Sequence, residues 1–211
     1  MVLRIPVIIG MSTLALLCSQ VATASDMERG EELYELCAQC HGGAGEGDQT
    51  VAAPSIAGLD QWYLEAQLDK FRQGMRGMHP DDATGLRMRP MAVTLIHEGD
   101  VADVSAYVAN MPPVLPPPVN SGGDVTRGKA LYVVCATCHG PQATGDVKQK
   151  APPLVRSSDW YLLTQLQKFK SGLRGTDPRD VSSLLMRPMA MALPDDQAMK
   201  DVIAYIMSLP R

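Results

Sequence analysis

The second half of this 211-residue chain repeats the first. Cys37-Ala38-Gln39-Cys40-His41-Gly42 returns 98 positions later as Cys135-Ala136-Thr137-Cys138-His139-Gly140, and the offset holds well outside the motif. Gly30, Leu33-Tyr34, Pro54 and Trp62-Tyr63 reappear as Gly128, Leu131-Tyr132, Pro152 and Trp160-Tyr161. Gln67-Leu68, Lys70-Phe71 and Gly74 become Gln165-Leu166, Lys168-Phe169 and Gly172, and Met88-Arg89-Pro90-Met91-Ala92 becomes Met186-Arg187-Pro188-Met189-Ala190. No insertion or deletion is needed. A repeat this long and in register requires two copies of one fold in tandem.

The proline-rich run Pro112 to Gly123 separates the copies as an extended, semi-rigid spacer, reaching at most about 37 Å at ~3.1 Å per residue. The expected organisation is a leader over 1–24, domains over 25–111 and 124–211, and a linker over 112–123. Within each copy the apolar residues have helical spacing. Val101, Val104, Val108 and Met111 share a face, as do Met199, Val202, Ile206 and Leu209. Leu64, Leu68 and Phe71, with Leu162, Leu166 and Phe169, mark a second helix, for which Asp60 or Ser158 is the candidate N-cap. A third runs through Glu31 to Cys40 and its twin through Lys129 to Cys138. The segments around Met88 and Met186 are expected to be irregular loops. With no alternating strand, each copy is a small all-α domain, and ten aromatic residues are few for two cores.

Cys-x-x-Cys-His is the attachment signature of c-type haem. Thiols at i and i+3 on one helical face can add across two porphyrin vinyl groups, while a histidine at i+4 reaches the iron. Cys37, Cys40 and His41, and Cys135, Cys138 and His139, are the candidate residues for two covalently bound haem c groups. A thioredoxin-like pair belongs in a βαβ setting, which is absent here, and a zinc site needs further ligands that neither copy offers. Haem would also supply the flat apolar mass that the aromatic count lacks.

The sixth iron ligand decides the chemistry. Of the four histidines, His79 and His97 face Asp177 and Asp195 at the repeat offset, and both are read as solvated surface groups. Methionine is the natural alternative, since Met/His ligation raises the potential. Most of the 13 methionines are core filler by default. The repeat narrows the choice to Met88 with Met186, the favoured pair, or Met91 with Met189.

Residues 1–24 read as a secretory signal: Arg4, an apolar run from Ile5 to Leu17, and Ala22-Thr23-Ala24 as the cleavage site. The run is too short to span a bilayer, which takes ~20 residues. A lipoprotein attached through Cys18 is the minor alternative. The expected product is periplasmic, exported and soluble or peripherally membrane-associated, without a membrane span. The whole chain carries a formal charge of −4, which argues against nucleic acid as a partner. The charge is unevenly distributed. Residues 25–120 hold six Lys/Arg against fifteen Asp/Glu, whereas residues 121–211 hold twelve against eight. Opposite ends of such a molecule can steer toward different redox partners.

These residues together resemble the class I cytochromes c, and their tandem arrangement resembles the dihaem cytochrome c4 family. The resemblance rests on both Cys-x-x-Cys-His motifs, the proline after each, Tyr63 to Leu68 and Tyr161 to Leu166, and the Met-x-x-Met-Ala-x-x-Leu segments ending at Leu95 and Leu193. It implies an all-α fold of two class I domains, with Met88 and Met186 as the sixth ligands. It also implies that the carbonyls of Pro54 and Pro152 accept the proton of each ligand histidine, and that Gly30 and Gly128 allow two helices to cross closely beside Tyr107 and Tyr205. The implied function is outer-sphere electron transfer without catalysis, between redox partners such as a quinol-oxidising complex and a terminal oxidase. The alternatives are a cytochrome subunit of a periplasmic dehydrogenase and, third, a dihaem peroxidase.

Overall fold

The computed structural model describes residues 25–210, so the leader expected over 1–24 lies outside the described residues. Eight α-helices follow in order: α1 (Met27–His41), α2 (Gln61–Arg72), α3 (Ala83–Val93), α4 (Asp100–Asn110), α5 (Val125–His139), α6 (Asp159–Ser171), α7 (Val181–Met191) and α8 (Asp196–Ser208). A single 3₁₀ turn, Val147–Gln149, follows α5. Among the described residues the extended structure amounts to two isolated antiparallel bridges, Asp48 with Ala53 and Asp146 with Ala151. The second four helices repeat the first four.

In each half the first and last helices cross. Asp26 caps α1 by accepting from the Arg29 N–H, and Asp124 caps α5 by accepting from Arg127. The crossing is close because Gly30 and Gly128 have no side chain. A Cβ at Gly30 would stand 2.4 Å from the Asp103 carbonyl oxygen, and one at Gly128 would stand 1.9 Å from that of Asp201. The ring of Tyr107 packs on Tyr34 at 5.6 Å between centroids, and that of Tyr205 on Tyr132 at 5.3 Å. Around these crossings lie two separate cores. One contains Tyr34, Leu59, Leu64, Leu95, Val104 and Val108, and the other Tyr132, Val155, Leu162, Leu193, Met199, Val202, Ile203 and Ile206.

The structure corrects the expectation for the segments around Met88 and Met186, which are helical (α3 and α7) where irregular loops were expected. Each contains a proline, Pro90 or Pro188, that removes a backbone donor from the helix. The helix is started instead by a buried aspartate. Asp82 accepts from the Gly85 N–H at 2.9 Å, and Asp180 accepts from the Ser183 N–H at 3.0 Å.

The chain from Pro112 to Gly123 has no regular structure and lies against both halves. Ser55 donates to the Val114 carbonyl at 2.6 Å, while the Val119 and Asn120 N–H groups converge on one carboxylate oxygen of Asp159. The halves also meet directly. Lys70 pairs with Asp180 at 2.7 Å and Lys168 with Asp82 at 2.5 Å, both largely buried. Arg76 donates to Gln165 and to the Tyr161 hydroxyl, Arg174 donates to Gln67, and Arg156 reaches the Gly58 carbonyl and Asp60. The pairs Lys70–Asp180 and Lys168–Asp82 are the same contact with the two halves exchanged.

Candidate functional site

The last residue of α1 is His41, and the chain turns sharply after it. Gly42 stands at φ 81° and its N–H closes on the Ala38 carbonyl. The Tyr34 hydroxyl, one helical turn from Cys37, donates to the Gly42 carbonyl at 2.6 Å and fixes that turn, as Tyr132 does at Gly140. The result is a histidine ring that is only 7 % exposed. Its Nδ1 lies 2.8 Å from the Pro54 carbonyl oxygen, and the Nδ1 of His139 lies the same distance from that of Pro152. An Nδ1–H donated to the carbonyl leaves Nε2 as the basic nitrogen, and the second contact fixes the ring orientation that a metal ligand needs. Burial lowers the basicity of both histidines, partly opposed by the proline carbonyl, so the neutral form is favoured.

Cys37, Cys40 and His41 line one cleft, whose other walls carry Pro54, Leu64, Phe71, Met88, Met91 and Val108. Side chains of α1 and α3 and Pro54 of the loop between α1 and α2 therefore meet at one place in the first half. Neither cysteine pair forms a disulfide: all four thiols, Cys37, Cys40, Cys135 and Cys138, are free. Burial pushes the Cys37 thiol up to about 11 and raises that of Cys135 as well. These are protonated, apolar-flanked sulfurs. Of the candidate methionines, Met88 and Met91 line this cleft, while in the second half Met186 is half-buried and Met189 38 % exposed. His79 and His97 are exposed, as expected of surface groups.

The sequence reading missed the part that the other half contributes. Ser157, Tyr161, Gln165 and Lys168 also line the first cleft, beside Gln67 and Arg76. The guanidiniums of Arg76 and Arg174 are buried, stack on Phe71 and Phe169 at 4.5 and 4.6 Å, and face Tyr63 and Tyr161. Beside this cleft the four largely buried cations Arg76, Arg174, Lys70 and Lys168 stand with two buried carboxylates, Asp82 and Asp180. The Nε of Arg174 is buried and has no acceptor among the described residues. The retained Arg-Gly of Arg76-Gly77 and Arg174-Gly175 was the available signal.

The residues present fit a c-type haem. Two free thiols at i and i+3, a histidine with its Nδ1 engaged, thioethers across a mostly apolar cleft, and a surplus of buried cationic donors suit a flat apolar ring that carries acidic substituents. The comparisons with known proteins agree. A family model for cytochrome c matches residues 27–112 and again 125–210. A thiosulfate dehydrogenase electron acceptor of Stutzerimonas stutzeri is 31% identical over 87% of this chain and 86% of its own length. Cytochrome c4 of Azotobacter vinelandii is 32% identical over 88% and 90%. Among solved structures, reduced cytochrome c4 from Pseudomonas stutzeri matches with a TM-score of 0.66 at 25% identity, covering 89% of this chain and all of that one. Thiosulfate dehydrogenase from Marichromatium purpuratum matches at TM-score 0.70 and 30% identity over 88% of this chain, which spans only 40% of that longer protein. The tandem family match, the cytochrome c4 relatives and the shared all-α architecture show that the chain belongs to the cytochrome c family, as a dihaem protein of the cytochrome c4 type.

Proposed function

We propose that this protein is an exported one-electron carrier that shuttles charge between redox proteins and catalyses no reaction of its own. The observation that carries this reading is the convergence of Cys37, Cys40, His41 and Met88 on one cleft, with the His41 ring held by the Pro54 carbonyl. In this reading Cys37 and Cys40, and Cys135 and Cys138, anchor the two haems. His41 with Met88, and His139 with Met186, ligate the irons, and Pro54 and Pro152 hold the histidine rings. When bound, haem supplies an iron that changes oxidation state by one electron. With these side chains as ligands the protein would itself supply both ligands to each iron and leave no position for a substrate, while in the first half α2 and α4 wall the cleft.

The organisation that goes with this function is a cleaved leader over 1–24, domains over 25–111 and 124–211, and a linker over 112–123. The location is the periplasm, and no described helix is long and apolar enough to cross a membrane. The partners are a quinol-oxidising complex or dehydrogenase as donor and a terminal oxidase as acceptor. A second reading, an electron-accepting partner or subunit of a periplasmic dehydrogenase, is favoured by the names of the S. stutzeri relative and the M. purpuratum neighbour. The test is a spectrum of the purified protein in both oxidation states. Carrier function requires low-spin haem and the weak sulfur-to-iron charge-transfer band at both ferric sites, with no peroxide turnover. A missing band, or turnover by the isolated protein, refutes the reading.

A further inference from the structure

The two aspartates that start the methionine-bearing helices do not act alone. Asp82 Oδ1 accepts from the Gly85 N–H at the start of α3 and, at 2.5 Å, from the ammonium of Lys168 on α6 in the other half. The same ammonium also reaches the Thr84 hydroxyl, in the first turn of α3. The mirror arrangement is complete. Asp180 Oδ1 accepts from the Ser183 N–H of α7 and from Lys70 on α2 at 2.7 Å, and Lys70 donates to Ser182 at 2.7 Å. All four charged groups are largely buried, the lysines 11–12 % exposed and the aspartates 2–3 %.

We propose that Lys168 is a positioning residue for the Met88 site in the first half, and Lys70 for the Met186 site in the second, so that each half sets the axial thioether of the other. Three facts carry the argument. First, α3 and α7 are 11 residues long and each contains a proline, so they hold few internal hydrogen bonds and depend on their ends for a fixed position. Second, the start of each helix is a single carboxylate oxygen shared between a backbone N–H within the helix and a lysine from the opposite half. The methionine follows six residues later on the same short rod. Third, Lys168 lines the first cleft together with Thr84, Gly85 and Met88, so the contact and the thioether border the same space. A lysine released from this contact frees the first turn of the helix, and the thioether moves with it. Because the arms are crossed, the effect appears in the half that does not contain the substitution.

The inference rests on Met88 and Met186 being the axial ligands. The experiment uses the full-length dihaem protein and carbon monoxide as a probe of a weakly held sixth position. In the parent protein carbon monoxide at the concentration used is expected to occupy neither ferrous iron, and Met186→Ala is expected to open one of the two. Adding Lys168→Met to Met186→Ala is expected to raise the carbon monoxide stoichiometry from one toward two per chain, to increase carbon monoxide affinity at the first site about tenfold, and to weaken the remaining ferric charge-transfer band. Adding Lys168→Met to Met88→Ala should leave the stoichiometry at one. Lys168→Arg, which keeps the cation and its donors, should restore exclusion, and Asp82→Asn, which keeps the cap but loses the ion pair, should behave as Lys168→Met does. A stoichiometry unchanged by Lys168→Met in the Met186→Ala background overturns the proposal. So does equal opening of both sites by Lys168→Met alone, since that reports general separation of the halves. If Met186→Ala itself opens no iron, the ligand assignment has failed, independently of the lysine.

Discussion

Nδ1 of His41 lies 2.8 Å from the carbonyl oxygen of Pro54, thirteen residues away, and His139 stands in the same relation to Pro152. A main-chain acceptor holds the imidazole, so no side-chain replacement at position 54 removes the contact outright. Of the ligands proposed for each site, the histidine is therefore the one whose ring is held by the main chain.

Met88→Ala and Met186→Ala should each lower the potential of one haem by on the order of 100 mV, a modest part of the ~0.8 V range that axial ligands span. Each should also abolish that haem's charge-transfer band. Potentiometric titration with spectral detection measures both, and retention of both bands in Met88→Ala would move the ligand to Met91.

Gly128→Ala should destabilise the protein by about 2–3 kcal/mol, within the usual range for forcing bulk into a packed contact. The added Cβ meets the Asp201 carbonyl, which is backbone on a buried helix and cannot swing aside. Gly30→Ala should cost less, because its contact is half an ångström longer. Thermal unfolding of the two variants gives the order, and a reversed order would contradict the crossing geometry.

Acid should separate the halves. Burial alone would raise Asp82 and Asp180, yet Lys168 or Lys70 and the helix N–H groups outweigh it and hold both carboxyls below their ordinary 3.8. A carboxyl depressed on folding adds stability that is fully present above its unfolded value and is lost as pH falls through the folded one. Stability should therefore fall below about pH 4, and Asp82→Asn with Asp180→Asn should flatten that fall. Denaturant midpoints measured between pH 6 and pH 2 test this, with equal slopes for parent and double variant as the contrary result.

Arg174→Gln should loosen the junction without emptying either cleft. Its guanidinium donates to Gln165 and Gln67 and stacks on Phe169, so it joins both halves. Loss of hydrogen bonds donated by a buried charged group costs on the order of 3 kcal/mol. Two resolved unfolding transitions in place of one, with both haems retained by mass, would show it; a single unshifted transition would not.

Much of this was written in the sequence. The 98-residue offset carried the two-domain plan, and Cys-x-x-Cys-His with the returning prolines marked both candidate sites because those groups are local to one turn and one loop. Two features were not legible. The helices around Met88 and Met186 contain proline, a helix breaker in isolation, and their true start signal is an aspartate stabilised from the other domain. The junction was hidden for a related reason. Lys70 meets Asp180, and Arg76 meets Gln165, at separations that no local pattern encodes, so the repeat displayed the residues but not their partners.

The exchanged ion pairs carry one more consequence. A surface that mates with its own copy is used up once the two copies have met, because each presents that patch to the other. A third copy added to the end of this gene would find that patch occupied on both predecessors. Tandem growth of this module by that contact therefore ends at a closed pair, and a longer wire would need a different surface.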